Sequence, residues 1–180
     1  LLALQILFMN LVTDNLPAVA LGFNKSSEDI MNDKPRKKSE IFSKTLMLIL
    51  IFSAALMAIL VLSSFYISFN IFKEDTVTSR TIALVTLISL EIANSFNFRS
   101  FRKGVLNRSP LVNKPLFYMA SISIIATLII LYTPLNIVFE VIPLKLNQWI
   151  IPLAMALFVI ILYDLIKLFL IKKAKIDLRS

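Results

Sequence analysis

An all-α fold, a polytopic transmembrane helical bundle of five spans, is what this sequence predicts, on three observations. Hydrophobic residues make up 58% of the chain and the mean hydropathy is +0.82, well above the roughly 45–50% apolar content of soluble domains. The apolar residues gather in long runs separated by short polar loops, the pattern of helices that cross a bilayer. The basic residues, in turn, crowd into alternate loops.

A span needs about 20 residues at ~1.5 Å rise each, and runs of that length predict helices at about 1–22, 43–70, 77–97, 115–134 and 148–171. The first opens on "LLALQ" without an initiator Met, a basic leader or a cleavage motif. A signal peptide is therefore not the reading, and a chain that starts inside a hydrophobic helix reads as a piece of a longer one. The second, "SKTLMLILIFSAALMAILVLSSFYISFNIF", is longer than a bilayer requires and is expected to tilt or to emerge into the interface. The third carries an acid, Glu91, about two-thirds along. The fourth ends near Tyr132 and the fifth begins near Trp149, aromatic residues that read as interface anchors. Asp164 and Lys167 in the fifth are three residues apart, which suggests an intrahelical ion pair close to the interface.

Charge then assigns sides. The loop after the first helix holds Lys25, Lys34, Arg36, Lys37, Lys38 and Lys44, and the loop after the third holds Arg99, Arg102, Lys103, Arg108 and Lys114. The last helix and tail add Lys167, Lys172, Lys173, Lys175 and Arg179. If five helices alternate, these sixteen of the 19 basic residues share one side, and only Lys73, Arg80 and Lys145 fall opposite. Positive-inside bias makes the crowded side cytoplasmic, so the first helix runs inward and the C-terminus is cytoplasmic. The net charge of +8 thus follows from topology and contact with anionic lipid. No nucleic-acid partner is expected, although Lys34–Lys38 form a short basic run. With only two Gly there is no phosphate loop, and with no Cys and no His any ion site must use oxygen ligands, which suits hard cations.

Within the first span, "NLVTDNLPA" interrupts an otherwise apolar run. An Asp at the centre of a membrane helix costs about 2.5–3.5 kcal/mol even on lenient scales, so something must offset it. Asn10, Thr13 and Asp14 are spaced to share one face of an α-helix, and together they offer the amide, hydroxyl and carboxylate oxygens a dehydrated hard cation takes. Pro17 removes a backbone donor and crowds the carbonyl of Thr13, so the helix is expected to loosen around 13–17 and free carbonyls near the carboxylate. A structural Asn/Asp pair bonding to neighbouring helices is the alternative. Glu91, with Asn94 on the same face, is a second acid at depth. A shared cation or a proton on Glu91 would relieve the repulsion; packing of a protonated Glu is the other reading.

"LQILFMNLVTDNLPAVALGF" closely resembles the sixth membrane helix of P-type cation-transporting ATPases of the calcium-pump branch. "SEDIMNDKPRKKSE" is similar to the cytoplasmic loop that follows it there, and "LEIANSFNFRSFRKGVL" to the eighth helix running into its loop. The resemblance covers essentially the whole chain and makes 1–180 the C-terminal membrane domain, helices six to ten. It implies that Asn10, Thr13 and Asp14 are cation ligands, Asp14 serving both sites of two-site pumps. It also implies that Glu91 completes one of those sites, and that the loop at 23–42 touches the phosphorylation domain. Asn15 departs from the family's usual Gly; Asn tolerates the unwound geometry better than most residues. Further ligands, the phosphorylated Asp and the nucleotide pocket would belong to the rest of the parent protein, so no catalytic or cofactor-binding residue is expected here. The function so implied is that of a pump for cations, Ca²⁺ above all, in the cell membrane. ATP and Mg²⁺ would act only in the parent protein, and the partners would be its other helices, its cytoplasmic domains and the bilayer. Mn²⁺, Na⁺ and Mg²⁺ also accept oxygen ligands. A secondary transporter or channel using Asp14 and Glu91 as a proton or Na⁺ path is the alternative, and a purely structural membrane subunit a third.

Overall fold

The computed structural model describes residues 1–23, 44–99, 105 and 113–177; the loop at 23–42 lies, but for Phe23, outside the described residues. Five helices are long and apolar enough to cross a membrane, and no strand occurs among the described residues. In lipid each backbone polar group needs a partner within its own segment, which leaves the helix as the spanning element for an open chain.

Helix α1, Ala3–Gly22, is composite: α-helical over Ala3–Phe8, π-helical over Met9–Asp14 and α-helical again over Asn15–Gly22. Helix α2 covers Lys44–Tyr66 and is prolonged by a π-helical turn, Ile67–Ile71. Lys73, left-handed at φ 55°, follows it. The Asp75 side chain then caps α3, Thr76–Phe98, accepting from the amides of Val77 (3.1 Å) and Thr78 (3.4 Å), the role short oxygen-bearing side chains play at helix starts. Asn113 does the same for α4, Lys114–Tyr132, with Pro115 in the first turn, where no donor is missed. A single turn, α5 (Leu135–Val138), was not expected from the sequence. Helix α6 runs Ile150–Asp177, six residues beyond the expected end.

The third span is the centre of the bundle. Along α3, 67% of the most apolar window is buried, against 17–33% for the other four spans. Its sequence explains this: Ser79, Thr81, Ala83, Thr86, Ala93 and Ser95 are all buried, and small side chains let helix backbones approach closely where no hydrophobic force drives association. Leu60 of α2, Leu90 of α3 and Val159 of α6 pack in one cluster. Met9, Val85, Ile88 and Leu131 join α1, α3 and α4 in another. Helix α2 is apolar all round and mostly exposed, as suits a helix facing lipid.

Bonds between segments distant in sequence establish the alternation. At one end, Gln5 of α1, fully buried, donates to the carbonyl of Phe139 at 2.9 Å. There also Gln148 donates to Glu74 at 2.8 Å, and Arg80 pairs with Glu140 at 3.8 Å. At the other end, Asn113 donates to the carbonyl of Ala20 at 3.4 Å and the amide of Val105 to Asp164 at 2.7 Å. The start of α1, the α2–α3 link and the α4–α6 link therefore share an end. Tyr132 and Trp149 meet there, the indole donating to the phenol oxygen at 2.9 Å and the phenol to the Leu144 carbonyl at 2.7 Å. Asp164 and Lys167 attract each other within α6, as their spacing leads one to expect, and both also bond other segments. Lys167 sends its ammonium to the main-chain carbonyl of Asn97 at 2.7 Å, so these two residues of α6 act across helices, where buried charges find the most acceptors.

Candidate cation site

Helix α1 is regular until Phe8. There the chain carries Asn10, Thr13, Asp14 and Pro17 within eight positions, and the register widens. The loosening expected at 13–17 falls one turn earlier, at Met9–Asp14, and the helix is α-helical again from Asn15 through the buried Pro17. The wide turn is how a helix accommodates a proline without breaking: bonds of the i→i+5 kind move the missing donor away from the crowded carbonyl.

The wide turn also divides the face on which Asn10, Thr13 and Asp14 were expected. A π register rotates less per residue than an α register, so Asn10 and Thr13 diverge. Thr13 is fully buried, whereas Asn10 and Asp14 are exposed in this chain. The Thr13 hydroxyl lies 2.9 Å from the Glu91 carboxylate of α3 and 3.0 Å from the carbonyl of Met9. A hydroxyl has one proton for these two acceptors, and the Thr13–Glu91 contact is a polar link between α1 and α3 at this depth.

Beside it is a cavity of about 330 Å³ between α1, α2 and α3. Thr13, Asp14 and Pro17 line it from α1, Ser53 and Met57 from α2, and Glu91, Asn94 and Ser95 from α3. Thr13, Asp14 and Glu91 are thus brought together; Asn10 does not line the cavity. Asn94 is buried, with its amide nitrogen 2.8 Å from the Met57 sulfur and its Oδ1 without a hydrogen-bond partner. A buried amide oxygen left unpaired costs free energy unless a ligand or water meets it.

The chemistry follows from the donor set. Among the described residues no cluster of three or more His, Cys, Asp or Glu occurs, so an all-carboxylate cage is not formed. Two carboxylates, a hydroxyl and an amide oxygen face one cavity instead. That mixture, rich in oxygen but low in charge, matches a dehydrated hard cation, which takes 6–8 oxygens in the case of Ca²⁺. Sequence reasoning put Asn94 on the face of Glu91 without assigning it a role. It passed over Ser53 altogether, because a lone serine in an apolar run gives no signal. Ser53 is held by a hydrogen bond to the Tyr163 hydroxyl of α6.

A family model described as "Cation transporting ATPase, C-terminus" matches residues 1–169. The chain is 31% identical over 158 residues to "Calcium-transporting ATPase" of Bacillus subtilis (strain 168), a match covering 87% of this chain and 18% of that protein. It is 29% identical over 181 residues to "Calcium-transporting ATPase 1" of Bacillus cereus (strain ATCC 10987 / NRS 248), covering 92% and 20%. It is also 29% identical over 192 residues to "Calcium-transporting ATPase 3, endoplasmic reticulum-type" of Arabidopsis thaliana, covering 91% and 19%. The match spans a fifth or less of the length of each of these relatives.

Proposed function

We infer, for a chain that belongs to the family of cation-transporting ATPase C-terminal domains, that it is the C-terminal membrane domain of an ATP-driven pump and that its cargo is Ca²⁺. The observation that carries this reading is the Thr13–Glu91 contact at 2.9 Å, which sets a hydroxyl and two carboxylates around one cavity at membrane depth. Names of relatives that specify calcium support the choice of ion.

Asp14 and Glu91 supply charge, and Thr13 and Asn94 supply neutral oxygens. When a cation sits between the two acids it takes over the charge of Glu91. The Thr13 proton then stays with the carbonyl of Met9 and its lone pairs turn to the ion. Asn10, exposed and outside the cavity lining, would face ligands from the pump's other membrane helices. Four oxygen-bearing side chains are fewer than Ca²⁺ prefers, so those helices complete the coordination. ATP and Mg²⁺ act in the cytoplasmic domains of the parent protein. Phosphorylation there would shift the helices and change ligand geometry, switching affinity and access. The loop-rich end that carries most Lys and Arg faces the cytoplasm of the cell membrane, with α1 running inward and the C-terminus inside.

In the full-length pump, Asp14→Asn is expected to abolish cation-dependent phosphorylation by ATP while phosphorylation by inorganic phosphate persists. An Asp14→Asn pump with unchanged cation dependence overturns the reading.

A further inference from the structure

The wide turn of α1 is tied to a helix that lies outside the cavity. Val12 lies inside the π-helical stretch Met9–Asp14, directly before Thr13. In the membrane no bulk water competes for its carbonyl. A side chain from another helix meets that carbonyl. The hydroxyl of Ser123 on α4, itself fully buried, lies 3.1 Å from the carbonyl oxygen of Val12.

The same hydroxyl is 3.1 Å from the carbonyl of Met119, and it has one proton to give. Met119 lies four residues before Ser123 in a regular α-helix, so its carbonyl has the Ser123 amide as main-chain donor. The bond to Val12 is the one of the two that joins α4 to α1. A second bond between the same two helices lies on the far side of Pro17, where Asn113 donates to the carbonyl of Ala20 at 3.4 Å. Helix α4 contributes no side chain to the cavity, yet it grips α1 on both sides of the proline.

We propose that Ser123 is a positioning residue for the cation site: by bonding the Val12 carbonyl from α4, it holds the wide turn that points Thr13 at Glu91 and Asp14 into the cavity. This rests on the cation-site reading given above. Without the bond, the wide turn loses its tie to α4 beside Thr13 and is free to relax toward the α register. That shift would rotate Thr13 away from Glu91. The prediction is therefore a loss of cation affinity from a helix that touches no cation.

The test uses the full-length pump in its membrane, with Ca²⁺ as the probe. Its readouts are the apparent Ca²⁺ affinity from the Ca²⁺ dependence of phosphorylation by ATP, the maximal phosphoenzyme level, and phosphorylation by inorganic phosphate. Ser123→Ala is expected to weaken apparent affinity by about five- to tenfold, the range set by losing one buried hydrogen bond, with both phosphoenzyme levels retained. Thr127→Val is the control. Thr127 is also a buried hydroxyl of α4, and it bonds within its own helix, to the carbonyl of Ser123 at 2.8 Å. It is expected to leave affinity within about twofold of the parent. Equal loss in both variants, unchanged affinity in Ser123→Ala, or failure of Ser123→Ala to accumulate in the membrane would each overturn the proposal, the last by assigning Ser123 to folding. Asp14→Asn, run alongside, separates the two levels. If it abolishes Ca²⁺ dependence while Ser123→Ala does nothing, only the positioning role falls; if neither changes Ca²⁺ dependence, the cation site falls with it.

Discussion

Among the described residues Glu91 is held by a single hydroxyl, that of Thr13 at 2.9 Å, and this spare arrangement separates charge from packing. Glutamine at 91 has the same size and still offers an oxygen to Thr13, so the α1–α3 contact survives Glu91→Gln while one negative charge is lost. In the intact pump this variant is expected to weaken cation affinity by about tenfold, the cost of one charge-assisted contact, and to lower the number of ions bound. The effect should be smaller than that of Asp14→Asn. Equilibrium binding of radioactive Ca²⁺ reads both quantities, and an unchanged stoichiometry and affinity would make Glu91 a packing residue. The unpaired Oδ1 of Asn94 fits the same picture, since a neutral oxygen adds coordination without adding repulsion between acids.

The central helix of the bundle starts on a titratable cap. The Asp75 carboxyl is held below the usual carboxylate range chiefly by the Thr78 hydroxyl, with the amides of Thr78 and Val77 adding to the effect and desolvation opposing it. A lowered pKa means that the folded state prefers the ionised form. The stabilisation is therefore present above the ordinary carboxylate range and is lost as pH falls through the lowered value. Asp75→Ala is expected to fray the first turn of α3, seen as faster hydrogen exchange at Val77 and Thr78. Acid should fray the parent in the same way, whereas Asp75→Asn, which keeps an acceptor but cannot titrate, should show no such pH dependence. Persistent acid sensitivity in Asp75→Asn would locate the titration elsewhere. Because α3 packs against α2 and α6 and carries Glu91, fraying confined to its first turn should leave cation affinity unchanged.

The whole bundle has two unlike ends, and each end is stitched by bonds between segments distant in sequence. Orientation in the membrane is the consequence that solution chemistry can read. The chain contains no cysteine, so single cysteines introduced at the exposed positions Lys145 and Lys114 report the two ends independently. Lys145→Cys should react with an impermeant thiol reagent added outside intact cells, and Lys114→Cys only after the membrane is opened. Reaction of both from one side would contradict the alternation of spans; the reverse pattern would invert the assigned orientation.

The sequence alone determined the number of spans, their ends to within a few residues apart from the longer α6, and the sorting of basic loops. The reason is physical: in lipid every span must satisfy its own backbone, so hydropathy and length decide the element without help from its neighbours. The acids at membrane depth were legible on the same ground, because their cost demands a compensation that apolar residues do not need. What only the tertiary structure decided is which polar groups meet. Spacing places Asn10, Thr13 and Asp14 on one face only if the register is α-helical; the π turn over Met9–Asp14 parts Asn10 from Thr13. Serine carries almost no hydropathy signal, so neither Ser53 at the cavity nor Ser123 at the carbonyl of Val12 could be picked out from an apolar run. Lys167 and Asp164 look like a local pair in sequence, yet they also reach Asn97 and Val105 on other segments. A buried donor or acceptor is satisfied by whatever the fold brings within about 3 Å, and that distance is set by how the helices pack.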